Sequence, residues 1–186
     1  MIIFIVPVIS ILIAMMRGGK LGYLADLNIR WRGFIILGFL LQVLIYNDFW
    51  QGRDELRAWT PLGYILSLCL LTIALAVNYR IPGMPFIALG FFLNFITILA
   101  NGGYMPAAPS AYVMAGFRNL SPGQVYNNSI GMGAETPLFF LGDVFAIPKQ
   151  IPFHNVFSIG DGIIVIGAAY LLQIAMMRKI PQPASN

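Results

Sequence analysis

The sequence predicts an all-α fold, a polytopic integral membrane helix bundle, and three observations predict it. Five apolar stretches run Met1–Met16, Gly33–Phe49, Pro61–Tyr79, Gly83–Asn101 and Asn155–Met177. The composition is 59% hydrophobic and 10% charged, with a mean hydropathy of +0.79, whereas soluble domains carry roughly 25% charged residues. Lys and Arg also gather in particular connections between the stretches. A spanning helix needs about 20 predominantly apolar residues, so the stretches read as about five transmembrane helices. The whole chain, residues 1–186, reads as one integral membrane domain with a folded outer cap between the fourth and fifth helices.

Met1–Met16 is the shortest stretch and contains Pro7. It lacks the basic start and small-residue cleavage site of a secretory leader, so it is expected to remain as the first helix. Leu21–Arg32 is too polar to span and suits a short amphipathic helix on the membrane surface. Trp31, Tyr46, Trp50, Trp59, Tyr64 and Tyr79 flank the second and third stretches, where amphipathic rings prefer the headgroup level. Leu56 and Trp59 suggest another brief interfacial element within 51–60. The tail, Ile180–Asn186, is polar and contains two prolines, which fits a surface extension.

Orientation follows from charge. Arg17, Lys20, Arg30, Arg32, Arg80, Arg178 and Lys179 fall on one side, and Arg53, Arg57, Arg118 and Lys149 on the other. Basic residues stay cytoplasmic, which places the N-terminus outside and the C-terminus in the cytoplasm. The net charge of +4 is then a topology signal with a contribution from anionic lipid. It forms no basic stripe, so nucleic acid is not an expected partner. The expected partners are membrane lipids and other integral membrane subunits.

The connection 102–154 is the least ordinary region. It holds six prolines, at 106, 109, 122, 137, 148 and 152, and the turn-favouring pair Asn127–Asn128. Its aromatic and aliphatic content is too high for disorder. A folded outer cap is expected, in which Thr136–Gly142 can dip back into the bundle where protein shields its backbone.

Polar residues inside the apolar stretches carry the remaining information. Asn94, Thr97 and Asn101 share one face of the fourth helix, either as interhelical hydrogen-bonding glue or as the wall of a polar cavity. Gln42 and Gln173 admit the same two readings. Gly160 and Gly167 suit close helix packing. Cys69 has no partner for a disulfide and reads as a small buried residue. With one His in the chain, no metal site and no cofactor are expected.

Two carboxylates stand out. Asp161 opens the fifth helix, and Asp143 lies upstream in the cap. Brought together, they would share a proton, since two like charges at close range resist joint ionisation. One could then serve as base for water and the other as acid. A structural role competes with this chemistry. Ser158-Ile159-Gly160-Asp161 matches a capping box, in which hydroxyl and carboxylate satisfy free amides at a helix start. His154 and Lys149 are candidates to neutralise either acid.

Most of the chain resembles an uncharacterised family of small bacterial multi-pass membrane proteins, known only as a domain of unknown function. The resemblance is carried by Asn101-Gly102-Gly103-Tyr104-Met105-Pro106, by Leu141-Gly142-Asp143-Val144-Phe145 with Pro148, and by Asn155 through Asp161. It implies no chemistry. A second, local resemblance covers Asp143–Gly167, which looks like the C-terminal part of signal peptidase II. That resemblance would make Asp143 and Asp161 the catalytic pair, with Asn155 in support. The chain departs from that enzyme's pattern in three ways. Its Asn lies six residues before Asp161 rather than three, the upstream Asn-x-Gly-Ala-Ala and Gly-Asn-x-x-Asp-Arg segments are absent, and the number of spans differs. The similarity reads as convergent geometry.

Three functions follow as expectations. The leading one is an accessory or structural subunit docking onto a larger membrane complex, without a catalytic motif. The second is an aspartyl-type membrane hydrolase acting on lipid or lipoprotein near the outer surface. The third is a small transporter or lipid-binding protein using the Asn94–Asn101 face.

Overall fold

A computed structural model describes residues 2–177 of the chain. Five apolar helices form the body: α1 (Ile2–Met16), α3 (Arg32–Ile45), α6 (Thr60–Ala76), α7 (Met84–Ala100) and α9 (Ile159–Met177). Three single-turn helices, α2 (Gly22–Ala25), α4 (Asp48–Gln51) and α5 (Asp54–Arg57), occupy the connections. Between α7 and α9 lie β1 (Met105–Ala107), α8 (Pro109–Met114), β2 (Val125–Tyr126), β3 (Ser129–Gly131), a 3₁₀ turn (Phe139–Leu141), β4 (Phe145–Ile147) and β5 (Asn155–Phe157).

This architecture corrects the all-α, five-span expectation in two respects. The cap contains two small sheets, one ordered β1-β3-β2 with β1 parallel to β3, the other an antiparallel β4-β5 pair. Among the described residues, only α9, at 19 residues, is a helix long and apolar enough to cross a membrane. The other four apolar helices are 15, 14, 17 and 17 residues long.

The physical reason is that the apolar stretches run through caps and strands. α3 stops at Ile45, and the Asn47 side chain then accepts from the Trp50 amide at 2.8 Å to start α4. Asn155–Phe157 is strand, and α9 begins only after Ser158. The 2–3-residue strands are too short to display alternation, and β1 contains Pro106, tolerated because β1 is an edge strand. Thr136–Gly142 does not dip into the bundle: Phe139 and Phe140 are exposed, and Asn101 at the end of α7 donates to the Pro137 carbonyl at 3.0 Å. The tail Ile180–Asn186 and the pair Arg178–Lys179 lie outside the described residues.

α7 and α9 pack antiparallel through glycines spaced seven residues apart on each helix entry. A Cβ on Gly90 would stand 2.5 Å from the Gly160 carbonyl, and one on Gly167 would stand 2.9 Å from the Gly83 carbonyl. Small residues at such positions let backbones approach closely, the packing mode that works without a hydrophobic driving force between helices. Side-chain hydrogen bonds lock the remaining helices. Gln42 donates to Ser67 at 3.1 Å, joining α3 to α6, and Gln173 donates to the Ser10 carbonyl at 2.6 Å, joining α9 to α1.

The cap is seated by the end of α7. Gly102 (φ 67°) donates to Leu99 and Gly103 (φ 92°) donates to Ile98, the Schellman pattern that ends a helix in left-handed conformation. The chain then enters β1, where Met105 packs with Leu68 and Ile98 of the bundle. Ala107, Ala111, Tyr112, Ala115, Leu120 and Val156 form the cap's own core.

Gly90→Ala should destabilise the protein by about 1–3 kcal/mol, because the added methyl meets backbone that cannot rotate away. Gly162→Ala, where a Cβ meets nothing within 4 Å, is expected to leave the melting temperature unchanged or slightly raised. Thermal unfolding of the two variants checks this, and equal losses would contradict the glycine contact.

Candidate acid-pair site

Asp143 and Asp161 face one cavity of about 340 Å³ at the junction of cap and bundle. Each reaches it by a separate local device. Asp143 lies between the 3₁₀ turn and β4, and its backbone forms a parallel bridge to β1. Its amide donates to the Pro106 carbonyl at 2.8 Å, and its carbonyl accepts from the Ala108 amide at 3.0 Å. Gly142 makes this approach possible, since a Cβ there would collide with the Pro106 carbonyl oxygen and the Met132 methyl. The Asp143 residue is 8% exposed.

Asp161 sits in the first turn of α9 and forms the expected capping box. Its amide donates to Ser158 Oγ at 3.0 Å, while its Oδ2 accepts from the Ser158 amide at 3.1 Å. Its other oxygen, Oδ1, accepts from Asn94 Nδ2 at 2.8 Å. Ser158 Oγ donates in turn to Asn94 Oδ1 at 2.9 Å. Capping and cavity-facing roles therefore coexist: one carboxyl terminates the helix, anchors α7 and lines the cavity.

The polar face read on α7 divides. Asn94 joins the acid site, Thr97 is fully buried and donates to the Leu93 carbonyl of its own helix at 2.8 Å, and Asn101 ties the helix end to the cap. Asn155, at the start of β5, also lines the cavity. His154 and Lys149 do not: the His154 ring packs against Phe117 at 5.7 Å, and Lys149 pairs through its backbone with Met114. Among the described residues, no group of three His, Cys, Asp or Glu gathers to hold a metal.

Several lining residues are read in the sequence only for other roles, Tyr64 as an interfacial ring and Asn127–Asn128 as a turn. Tyr64 from α6, Tyr112 from α8, and Tyr126 through Ser129 from the β2–β3 hairpin complete the wall. Asn127 adopts φ 54°, the left-handed conformation that Asn tolerates better than most residues. Val-Tyr-Asn-Asn-Ser-Ile is a strand–turn–strand pattern, and this was the available signal for the hairpin.

Burial pushes the Asp143 carboxyl up from 3.8 to about 8, and the neighbouring Asp161 charge adds to the rise. Burial also raises the Tyr112 hydroxyl above its ordinary range. At neutral pH, Asp143 thus keeps its proton, while both Asp161 oxygens accept hydrogen bonds. Asymmetry of this kind separates an acid from a base within a carboxyl pair.

What the fold defines is a helical protein bearing a small αβ cap, with two carboxyls lining one cavity where cap and helices join. The chain belongs to a family of unknown function (DUF5317), whose model matches residues 26–173. No curated protein and no solved structure matches it.

The raised Asp143 carboxyl has a stability consequence. Between about pH 4 and pH 8 the folded state holds a proton that the unfolded state releases, so this group's contribution to stability falls as pH rises through that window. Asp143→Asn should therefore gain stability relative to the parent across that window, reaching on the order of a few kcal/mol near pH 8. Melting temperatures measured across the range check this, and a difference independent of pH would contradict it.

Proposed function

We propose that this protein is a membrane-embedded hydrolase of the aspartyl type, with Asp143 as acid and Asp161 as base. The observation that carries the reading is the convergence of the two carboxyls on one cavity, one of them buried and protonated at neutral pH. Asp161 would draw a proton from water as that water attacks, and Asp143 would give its proton to the leaving atom. The protons balance over the step, and their return through bulk water resets the pair. General acid–base assistance of this kind contributes typically 10²–10⁴-fold in rate.

Asn94 would be the positioning residue. Held against α9 by Gly160, it donates to Asp161 and leaves that carboxyl oriented towards the cavity. Asn155 would present its amide to the substrate from the cap side.

The membrane placement is part of the same proposal. Side chains such as Val43, Leu40, Ile36, Leu62 and Ile166 stand 57–68% exposed on the body helices, a surface suited to lipid contact. Two basic residues of the 17–32 connection lie at the far end of α9: the Lys20 amide donates to the Met176 carbonyl, and Arg17 donates to Gln173. The acid cavity lies at the opposite end, beside Asp161. Under the positive-inside tendency, the basic end faces the cytoplasm and the cavity opens near the outer surface of a bacterial inner membrane. The exposed apolar helices also admit the accessory-subunit reading, but lipid alone accounts for them, whereas docking gives no role to the buried acid.

Hydrolysis of any substrate inserts one oxygen from water into product. Purified protein incubated with a total membrane extract in heavy-oxygen water should yield labelled products by mass spectrometry. Asp143→Asn and Asp161→Asn should each reduce the yield by about 100-fold or more while retaining the folded helix signal. Equal labelling by parent and variants, or none with the parent protein, would overturn the reading.

A further inference from the structure

The cavity carries a selection rule in its lining. Its walls supply two carboxyls, the amides of Asn94, Asn127, Asn128 and Asn155, and the hydroxyls of tyrosines and Ser129, with no Lys, Arg or His among them. Arg118 stands behind a lining ring, 4.5 Å from the Tyr126 ring centroid, and the His154 ring packs on Phe117.

Resting on the acid-pair reading, we propose that the cavity takes an uncharged or cationic group rich in hydrogen-bonding atoms, with an amide as the best-matched chemistry, and rejects anions.

Three features argue for it. The Asp143 carboxyl is buried, lines the cavity and has no hydrogen-bond partner among the described residues, so a ligand acceptor would complete it. The side-chain amides of Asn127 and Asn155 are likewise unpartnered there. Each offers a donor and an acceptor, which matches the two-sided character of an amide. Asn94, in contrast, has its amide nitrogen committed to Asp161 and its oxygen to Ser158. An anion would meet the Asp161 carboxylate in a partly dehydrated space with no cation to offset it, and like charges in such surroundings repel more strongly than in water.

Size sets a second limit. The volume of about 340 Å³ lies at the small end of the range for ligand sites. An adjoining cavity of about 590 Å³ shares Tyr126 and Asn127 with it and contains Asp54 and Arg57. The remainder of a longer molecule would lie there, beyond the hairpin. A small probe therefore reports on the inner site alone.

The test uses three small probes of similar shape: N-acetylglycinamide (neutral), glycinamide (cationic) and N-acetylglycine (anionic). Saturation-transfer NMR on the detergent-purified full chain, near neutral pH, should show transfer to the first two. N-acetylglycine should bind at least about tenfold more weakly, a modest effect for one unscreened like charge. Asp161→Asn should narrow that gap by restoring N-acetylglycine binding. N-acetylglycine binding as well as N-acetylglycinamide, no transfer to any probe, or a gap unchanged in Asp161→Asn would overturn the proposal. Binding selectivity is read without turnover, so a failed hydrolase assay and a failed selection rule give separate results.

Discussion

The close approach of α7 and α9 is the constraint from which the rest of the site follows. Gly90 and Gly160 let the two backbones meet, and a side chain on either would hold them apart. Only at that distance does Asn94 reach both Ser158 and Asp161, completing a hydrogen-bonded cluster across two helices. Asp161 is thereby fixed as helix cap and as cavity wall at once. A position that a large side chain could fill is given up to backbone contact, and the polar cluster becomes possible in an otherwise apolar body.

The cap supplies the second half of the site by a different route. β1 leaves α7 through the Gly102–Gly103 reversal and offers Pro106 and Ala108 as pairing partners for Asp143. Because that acid is held through its backbone, its side chain has no structural duty, unlike that of Asp161. A buried carboxyl free of protein partners is costly when ionised, which is why it retains its proton. The two acids thus differ for reasons that can be traced to their anchoring: one is held by its oxygens, the other by its main chain.

Much of the candidate site was legible in the chain. Ser158-Ile159-Gly160-Asp161 gave the helix start, and the capping box is formed. Asp143, Asp161, Asn94 and Asn155 were each singled out, and all four line one cavity. The fold was less legible. Val156 and Phe157 are apolar and adjoin Ile159, so composition extended the last helix over a strand. Tyr46 and Asn47 ended α3 early for the same reason: hydropathy registers burial, whereas a cap depends on one hydrogen bond. Thr97 and Asn101 share a helical face with Asn94, yet they serve their own helix and the cap. Periodicity fixes which residues are neighbours on a surface, and only tertiary packing decides what each of them meets.

The central claim is that Asp143 and Asp161 act as one coupled pair, and infrared titration tests it most directly. The protonated carbonyl stretch assigned through Asp143→Asn should persist at neutral pH and vanish with a midpoint near 8. In Asp161→Asn that midpoint should fall, because the neighbouring charge that helps hold the proton is gone. A band that disappears in the ordinary carboxylate range, or a midpoint indifferent to residue 161, would contradict the account.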